Sequence, residues 1–225
     1  MKTVVLSCRT LEDELNAALK RSGKEYDVVW LESGLHNVPA KLSTRIQEEL
    51  DRIEADRVLL AMGFCGNAVA GIHGSFEMIL PRADDCISLL LGSVERRMEI
   101  GRDLAAYFFT EGWMRGERNI IVEYEHTLKK YGPELTASIM EMMYSHYRTL
   151  AILNCGVGDV SALMERTRDI AATLGLEQRE LPGTLAYLTE LFTGPWPEER
   201  YITIPANTVL EASLLRLNAP GAALQ

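Results

Sequence analysis

Short continuous apolar runs alternate with stretches of helical spacing along the first sixty residues. The runs Thr3–Ser7, Tyr26–Leu31 and Arg57–Met62 are typical of strands that are buried on both faces. Between them the apolar residues recur every three or four positions, with Gly23 and Pro39 as stop and start signals, at Leu11, Leu15, Ala18, Leu19, then Leu42, Ile46, Leu50 and Ile53. The order β-α-β-α-β predicts a parallel sheet with crossover helices.

The rest of the chain continues the alternation less regularly. Asp84 and Asp85 stand where a helix N-cap belongs, and a long helical stretch breaks near Gly132 and Pro133. The segment GFCGNAVAG (63–71) is predicted to be a glycine-rich turn that opens a short helix. Further strands are predicted at Phe76–Leu80, Ala105–Thr110, Thr149–Asn154, 177–181 and Tyr201–Ile204, and further helices at Cys86–Leu91, Arg118–Ser145, Val160–Leu174 and Thr184–Phe192.

These elements predict an α/β protein with Rossmann-like parallel sheets and crossover helices, in two α/β halves around a crevice. We expect a single domain over residues 1–217, with pseudo-halves 1–117 and 118–217, followed by a flexible tail at 218–225.

The amino-acid composition excludes or disfavours several classes of function. Lys and Arg number 23 against 32 Asp and Glu, a formal net charge of −9, which disfavours nucleic acid as a partner. A hydrophobic content of 47% excludes disorder as the main state. No apolar run approaches the roughly 20 residues of a membrane span, and acidic residues follow the first strand where a signal peptide would continue. We therefore expect a cytoplasmic protein without membrane contact.

The four cysteines are too few for a disulfide scaffold, but their positions are informative. Cys8, Cys65 and Cys155 each follow a predicted strand, Cys86 begins the helix after another, and His36 lies in the loop after the second strand. The carboxyl ends of parallel strands meet at one edge of a sheet, where ligands bind. The pattern therefore predicts that these five side chains converge.

A metal site is the first interpretation of this convergence, because thiolate and imidazole bind zinc and thiolate binds iron–sulfur clusters. Cys8, Cys65 and Cys86 would be the core ligands, with His36 or Cys155 as the fourth. Two other interpretations stay open. The cysteines could only pack in the core, or one thiol could be a nucleophile, in which case His36 with Cys65 is the pair to test.

Other residues at the same edge have candidate roles. Asp84 and Asp85 are candidate catalytic bases, ligand-orienting groups or helix caps. The glycine-rich turn, through Gly63, Gly66 and Asn67, could hold a small anionic ligand with its amides, although it matches no nucleotide-binding motif. Trp113 could line a ligand pocket or pack.

Four blocks together resemble a bacterial and archaeal family, the domain-of-unknown-function family 1638. They are LHNVPAKL (35–42), GFCGNAVAG (63–71), PRADDCISLLLGS (81–93) and FFTEGW (108–113). The resemblance favours as site residues Cys8, His36, Cys65, Asp85, Cys86 and Trp113. Members of the family often lie near genes for corrinoid-dependent methyltransferases, so the resemblance implies a link to methyl-group metabolism and to such a methyltransferase as partner. The corrinoid-binding signature DxHxxG is absent from the sequence.

We therefore expect a metal-binding protein with zinc or an iron–sulfur cluster, either an enzyme or an accessory factor of one-carbon metabolism. The alternatives are a non-catalytic protein that binds a small molecule or a methyltransferase, and a cysteine-dependent hydrolase or transferase.

Overall fold

The computed structural model describes residues 1–116 and 118–215, which form two sheets with helices around them. The first sheet has the strand order β2-β1-β3-β4-β8, with β1 to β4 parallel and β8 antiparallel to β4. Its strands are β1 (Thr3–Cys8), β2 (Asp27–Leu31), β3 (Arg57–Ala61), β4 (Glu77–Pro81) and β8 (Tyr201–Ile204). All of β1 after Thr3 is buried, as its unbroken apolar run predicts.

Two crossover helices connect the first three strands, in agreement with the sequence pattern. Helix α1 (Glu12–Ser22) ends at Gly23, whose φ of 65° is the left-handed conformation of a helix C-cap. Helix α2 (Pro39–Leu50) begins with its proline in the first turn and buries Leu42, Ile46 and Leu50. These helices cover the sheet and fix the carboxyl ends of β1, β2 and β3 at one edge.

The connection from β3 to β4 differs from the prediction, because the glycine-rich segment forms successive turns without the expected short helix. Cys65, Gly66 and Asn67 have φ values of 47°, 68° and 64°. Three consecutive residues in the left-handed region cannot continue a right-handed helix. The segment still contributes to the core through Phe64, Ala68, Val69 and Ile72.

A second sheet follows, with all three strands parallel in the order β5-β6-β7. The elements of this part are α3 (Cys86–Leu91), α4 (Val94–Leu104), β5 (Ala106–Phe109), α5 (Glu111–Met114), α6 (Ile120–Tyr144), β6 (Thr149–Asn154), α7 (Val160–Thr173) and β7 (Glu177–Pro182). Gly132 has non-helical backbone angles within α6, where the sequence predicts a break. Helix α4 is not among the predicted elements, because only Val94 of its residues is buried and no apolar stripe marks it.

After β7 the chain returns to the first sheet. Helix α8 (Ala186–Thr193) packs on α1, and β8 pairs with β4 at the edge. The two sheets therefore do not correspond to two consecutive parts of the sequence. Strand β5 of the second sheet precedes residue 118, whereas β8, late in the sequence, belongs to the first sheet together with β1. The division into one domain with two pseudo-halves stays a prediction, and the predicted tail at 218–225 lies outside the described residues. None of the helices described here is long and apolar enough to cross a membrane.

Candidate functional site

Three of the four cysteines come together at the carboxyl edge of the first sheet. Cys8 is the last residue of β1, Cys65 lies in the turns after β3, and Cys86 is the first residue of α3, after β4. These strands are neighbours in the order β1-β3-β4 and run parallel, so their ends lie side by side. Cys8 and Cys86 are buried and Cys65 is half-buried.

Cys86 is at the centre of this cluster. A side-chain hydrogen bond with Cys65, followed by one with Cys8, holds the pKa of the Cys86 thiol well below its usual range. The backbone N–H of Gly63 and the charge of His36 act in the same direction, and together they outweigh burial. Cys86 is therefore the most acidic thiol of the cluster.

The pKa values of the other two thiols, Cys8 and Cys65, are shifted in the opposite direction. Their hydrogen bonds to Cys86, together with burial, raise the pKa values of Cys8 and Cys65 well above the ordinary value. Both thiols are therefore weaker acids than Cys86. The charge of Cys8 also contributes to the raised pKa of Cys65.

The backbone around Gly63 explains why these sulfurs meet. The N–H groups of Phe64 and Cys65 donate to the carbonyls of Ala83 and Asp84 at 2.7 and 2.8 Å, which pins the turn against the start of α3. A Cβ atom on Gly63 would lie 2.6 Å from the backbone of Asp85. Only glycine allows this close approach, and the approach is what brings the Gly63 N–H to the Cys86 sulfur.

The two predicted catalytic carboxylates hold the same turn together. Asp85 caps α3 by accepting from the N–H of Ser88 at 2.8 Å, and its second oxygen pairs with Arg97 at 3.2 Å. Asp84 accepts from the Ser88 hydroxyl and from the N–H of Asp85. Burial raises the pKa of Asp85, while Arg97 opposes that rise. These contacts are structural, and a catalytic role for either aspartate stays a prediction.

A cavity of about 420 Å³ opens beside the sulfurs, between the edges of the two sheets. Such a volume lies within the range of small-molecule sites. The predicted site residues among its lining are Cys8, His36, Cys65, Gly66, Asp84, Asp85, Cys86 and Trp113. The lining residues that the sequence analysis missed include Thr10, Tyr107, Phe108, Tyr147, Arg97 and Arg118. Arg97 could not be recognised because it lies on the unpredicted α4.

His36 and Trp113 reach the cavity from two different elements of the chain. His36 lies in a short 3-10 turn, Leu35–Asn37, and its ring centre is 6.4 Å from that of Trp113 on α5. Helix α5 is held against the end of β1, since a Cβ atom on Gly112 would lie 1.9 Å from the carbonyl oxygen of Thr10. A glycine at this position therefore lets α5 place Trp113 at the same cavity as the thiol cluster.

Three predicted site residues, Gly63, Asn67 and Cys155, do not line this cavity. Asn67 is exposed in the turns after β3, and Cys155 follows β6 in the second sheet. Burial, followed by the charge of Glu14, raises the pKa of Cys155 to about 12. The structure therefore separates Cys155 from the other three cysteines, and His36 is the remaining candidate for a fourth ligand at the cluster.

The donor set suits a soft metal ion in its chemistry, because three sulfurs and one imidazole are the groups that zinc selects and three sulfurs can hold part of an iron–sulfur cluster. Within residues 1–116 and 118–215, no group of three or more His, Cys, Asp or Glu side chains is already arranged to hold a metal ion. A bound ion would require the sulfurs to close around it by side-chain rotation.

Comparison with known proteins agrees with the resemblance carried by the four sequence blocks. The profile of the family described as "Protein of unknown function (DUF1638)" matches residues 30–192, which include His36, Cys65, Cys86 and Trp113 but not Cys8. No curated protein and no solved structure matches the chain significantly. Since the match covers more than half of the chain, the protein belongs to this family of unknown function.

Proposed function

We propose that this is a metal-binding protein whose thiolate centre, Cys86 with Cys8 and Cys65, holds zinc or an iron–sulfur cluster. The observation that carries the proposal is the convergence of three cysteines, two of them buried, at the edge of one parallel sheet and around one cavity. Thiolate, not thiol, is the form that binds metal. A metal ion would replace the thiol protons and let all three sulfurs carry charge.

Core packing alone explains the cluster less well. A cysteine that only packs has its pKa raised by burial, as Cys155 does. Cys86 is equally buried, yet its neighbours stabilise the charged form. Groups arranged to favour a buried charge are typical of a functional site.

His36 is the protein side chain available as fourth ligand, and a ligand entering the cavity could take the same place. A bound zinc ion would act as a Lewis acid toward that ligand. The surrounding residues have separate tasks: the Gly63 N–H and the Asp85 cap position the sulfur of Cys86, while Trp113 shields it from water.

A second candidate function is nucleophilic chemistry by Cys86, favoured by its lowered pKa. The sulfur would attack an electrophilic carbon in the cavity, so that an S–C bond forms as the bond to the leaving group breaks. His36 is close enough for its charge to act on Cys86 and could protonate the leaving group. This candidate needs no fourth ligand and no closure of the sulfurs.

Elemental and sulfide analysis of protein purified without oxygen tests the proposal. We expect stoichiometric metal in the natural protein and in Cys155→Ser, and its loss in Cys86→Ser. The proposal fails if the natural protein holds no metal even after incubation with zinc, or with iron and sulfide. Rapid alkylation of Cys86 by iodoacetamide in such metal-free protein would then favour the nucleophile.

The compartment and the partner are further parts of the proposal. Four free cysteines support a reducing compartment, for which we propose the cytoplasm. The family resemblance supports a role beside a corrinoid-dependent methyltransferase, as enzyme or accessory factor. A purified corrinoid protein used as bait tests this partner, and failure to retain the chain would contradict it.

A further inference from the structure

The cavity beside the thiols has a smaller neighbour at its mouth. This second cavity, of about 190 Å³, is lined by Ser33, Gly34, Leu35, Val38, Lys41 and Arg118. Arg118 belongs to the lining of both cavities, so the two are neighbours in the fold. A ligand longer than the first cavity could therefore extend past Arg118 into the second.

Cationic side chains surround this junction, although the chain as a whole carries a net charge of −9. Arg118 and Lys41 lie there, and within the described part of the chain neither takes part in an ion pair. Two such cations at the entrance of a cleft attract anions by focusing the local field.

The acidic residues of the cavity are already engaged. Asp85 is paired with Arg97 and caps α3, and Asp84 accepts from the hydroxyl of Ser88 and a backbone N–H. Their charges lie at the thiol end of the cavity, beside Cys86. Among the described residues, the two carboxylates of the first cavity therefore have partners, whereas Arg118 and Lys41 have no ion-pair partner.

The walls between these two ends are flat and aromatic. Trp113 lies beside His36, and the rings of Tyr107 and Tyr147 meet edge to face at 5.2 Å between centres. Phe108 is covered by the guanidinium of Arg97, 4.4 Å from its ring centre. Planar, weakly polar groups pack well against such walls.

We infer that the site takes a small planar molecule with one anionic group, a carboxylate or its equivalent, bound at Arg118 and Lys41. Its other end then points toward the Cys8–Cys65–Cys86 cluster. This assignment rests on the proposed function for the meaning of the cluster, but charge selection at the mouth is measurable without any metal.

Benzoate and benzamide are matched probes, since they share shape and differ in charge. We expect benzoate to bind about tenfold more tightly than benzamide, because a hydrogen bond to a charged group adds affinity of that order. Arg118→Gln should remove most of this preference and leave benzamide binding unchanged. Arg102→Gln, on the exposed face of α4 and paired with Asp103, is the control and should keep the preference.

Affinities are measured by NMR titration, and the metal content of each preparation is determined in parallel. The inference is overturned by equal affinity for the two probes, by no benzoate binding, or by an unchanged preference in Arg118→Gln. Metal-free protein that still prefers benzoate contradicts the metal proposal alone. Metal-loaded protein without the preference contradicts this inference alone.

Discussion

A buried cysteine lies at the carboxyl edge of each sheet, and the pKa values of these two cysteines are shifted in opposite directions. Cys86 at the first edge and Cys155 at the second are 8% and 6% exposed. The pKa of Cys86 is lowered well below the ordinary value, whereas that of Cys155 is raised to about 12. Burial is the same at both edges, so it cannot be the cause of the difference.

The groups around each cysteine account for the difference between the two pKa values. The side chains of Cys65 and Cys8, the backbone of Gly63 and the charge of His36 lower the pKa of Cys86. Cys155 faces Glu14, whose own pKa is raised to about 7 by burial and whose Oε2 has no hydrogen-bond partner among the described residues. At the first edge the neighbours of Cys86 outweigh burial, whereas at the second edge the backbone of Thr184 and the charge of Arg21 do not outweigh burial and Glu14. The first edge is therefore the one suited to thiolate chemistry.

The largest predicted effect is a difference in thiol reactivity. In metal-free protein near neutral pH, Cys86 should react with iodoacetamide at least about a hundredfold faster than Cys155, because the thiolate is the reacting species. Mass spectrometry of peptides after timed alkylation gives both rates in one sample. Equal rates would remove the basis of the comparison.

A matched pair of glycine substitutions separates the edges. Gly63→Ala places a Cβ 2.6 Å from the backbone of Asp85, and Gly183→Ala places one 2.4 Å from the sulfur of Cys155. Each should lower the free energy of unfolding by about 1–3 kcal/mol. Only Gly63→Ala should raise the pKa of Cys86, measured by thiolate absorbance against pH. A similar rise in Gly183→Ala would show that general loosening, not the lost N–H contact, controls the thiol.

Glu14 gives the second edge a pH dependence. Its pKa is raised from 4.5 to about 7 in the folded protein. The folded state therefore binds the proton more tightly, and the stability that this provides is complete below about pH 4.5 and is lost as the pH rises to about 7. Glu14→Gln should remove this decline and stabilise the protein by about 2 kcal/mol at about pH 8.

Urea unfolding at several pH values measures the Glu14 effect. Glu165→Gln, an exposed acid of α7 paired with Arg168, serves as the control and should leave the pH profile unchanged. An identical decline in Glu14→Gln and the natural protein would contradict the assignment.

The smallest effect compares two aspartate caps. Asp85→Ala removes a cap and the pair with Arg97, and Asp159→Ala removes only the exposed cap of α7. We expect losses of about 2 and about 1 kcal/mol of unfolding free energy, from thermal unfolding. A larger loss in Asp159→Ala would mean that the first edge is not the more tightly organised one.

Much of the fold could be predicted from the sequence where burial is regular. The strands Thr149–Asn154 and Tyr201–Ile204 and the helix Cys86–Leu91 were predicted with the bounds that the structure has. Helix α4 was missed because a surface helix with one buried residue has no periodic signal. The prediction for the segment after β3 was partly wrong. Its glycine content indicates a turn but does not indicate whether a helix follows that turn.

Part of the candidate site could also be predicted, because its cysteines follow regular strands. Strand ends indicate which edge a residue occupies, and this placed Cys8, Cys65 and Cys86 together. Strand ends alone do not distinguish Cys155 from these three cysteines, because the second sheet also has a carboxyl edge. Arg118 lies in a loop whose path depends on long-range packing, so no local pattern marked it.

Cobalt(II) titration of the oxygen-free protein tests the central claim most directly, because thiolate coordination to cobalt gives a charge-transfer absorbance whose intensity follows the number of bound sulfurs. We predict a band of three-thiolate intensity in the natural protein, its retention in Cys155→Ser and its weakening or loss in Cys86→Ser. Absence of the band in the natural protein, or an unchanged band in Cys86→Ser, would contradict a metal-binding thiolate centre at Cys86.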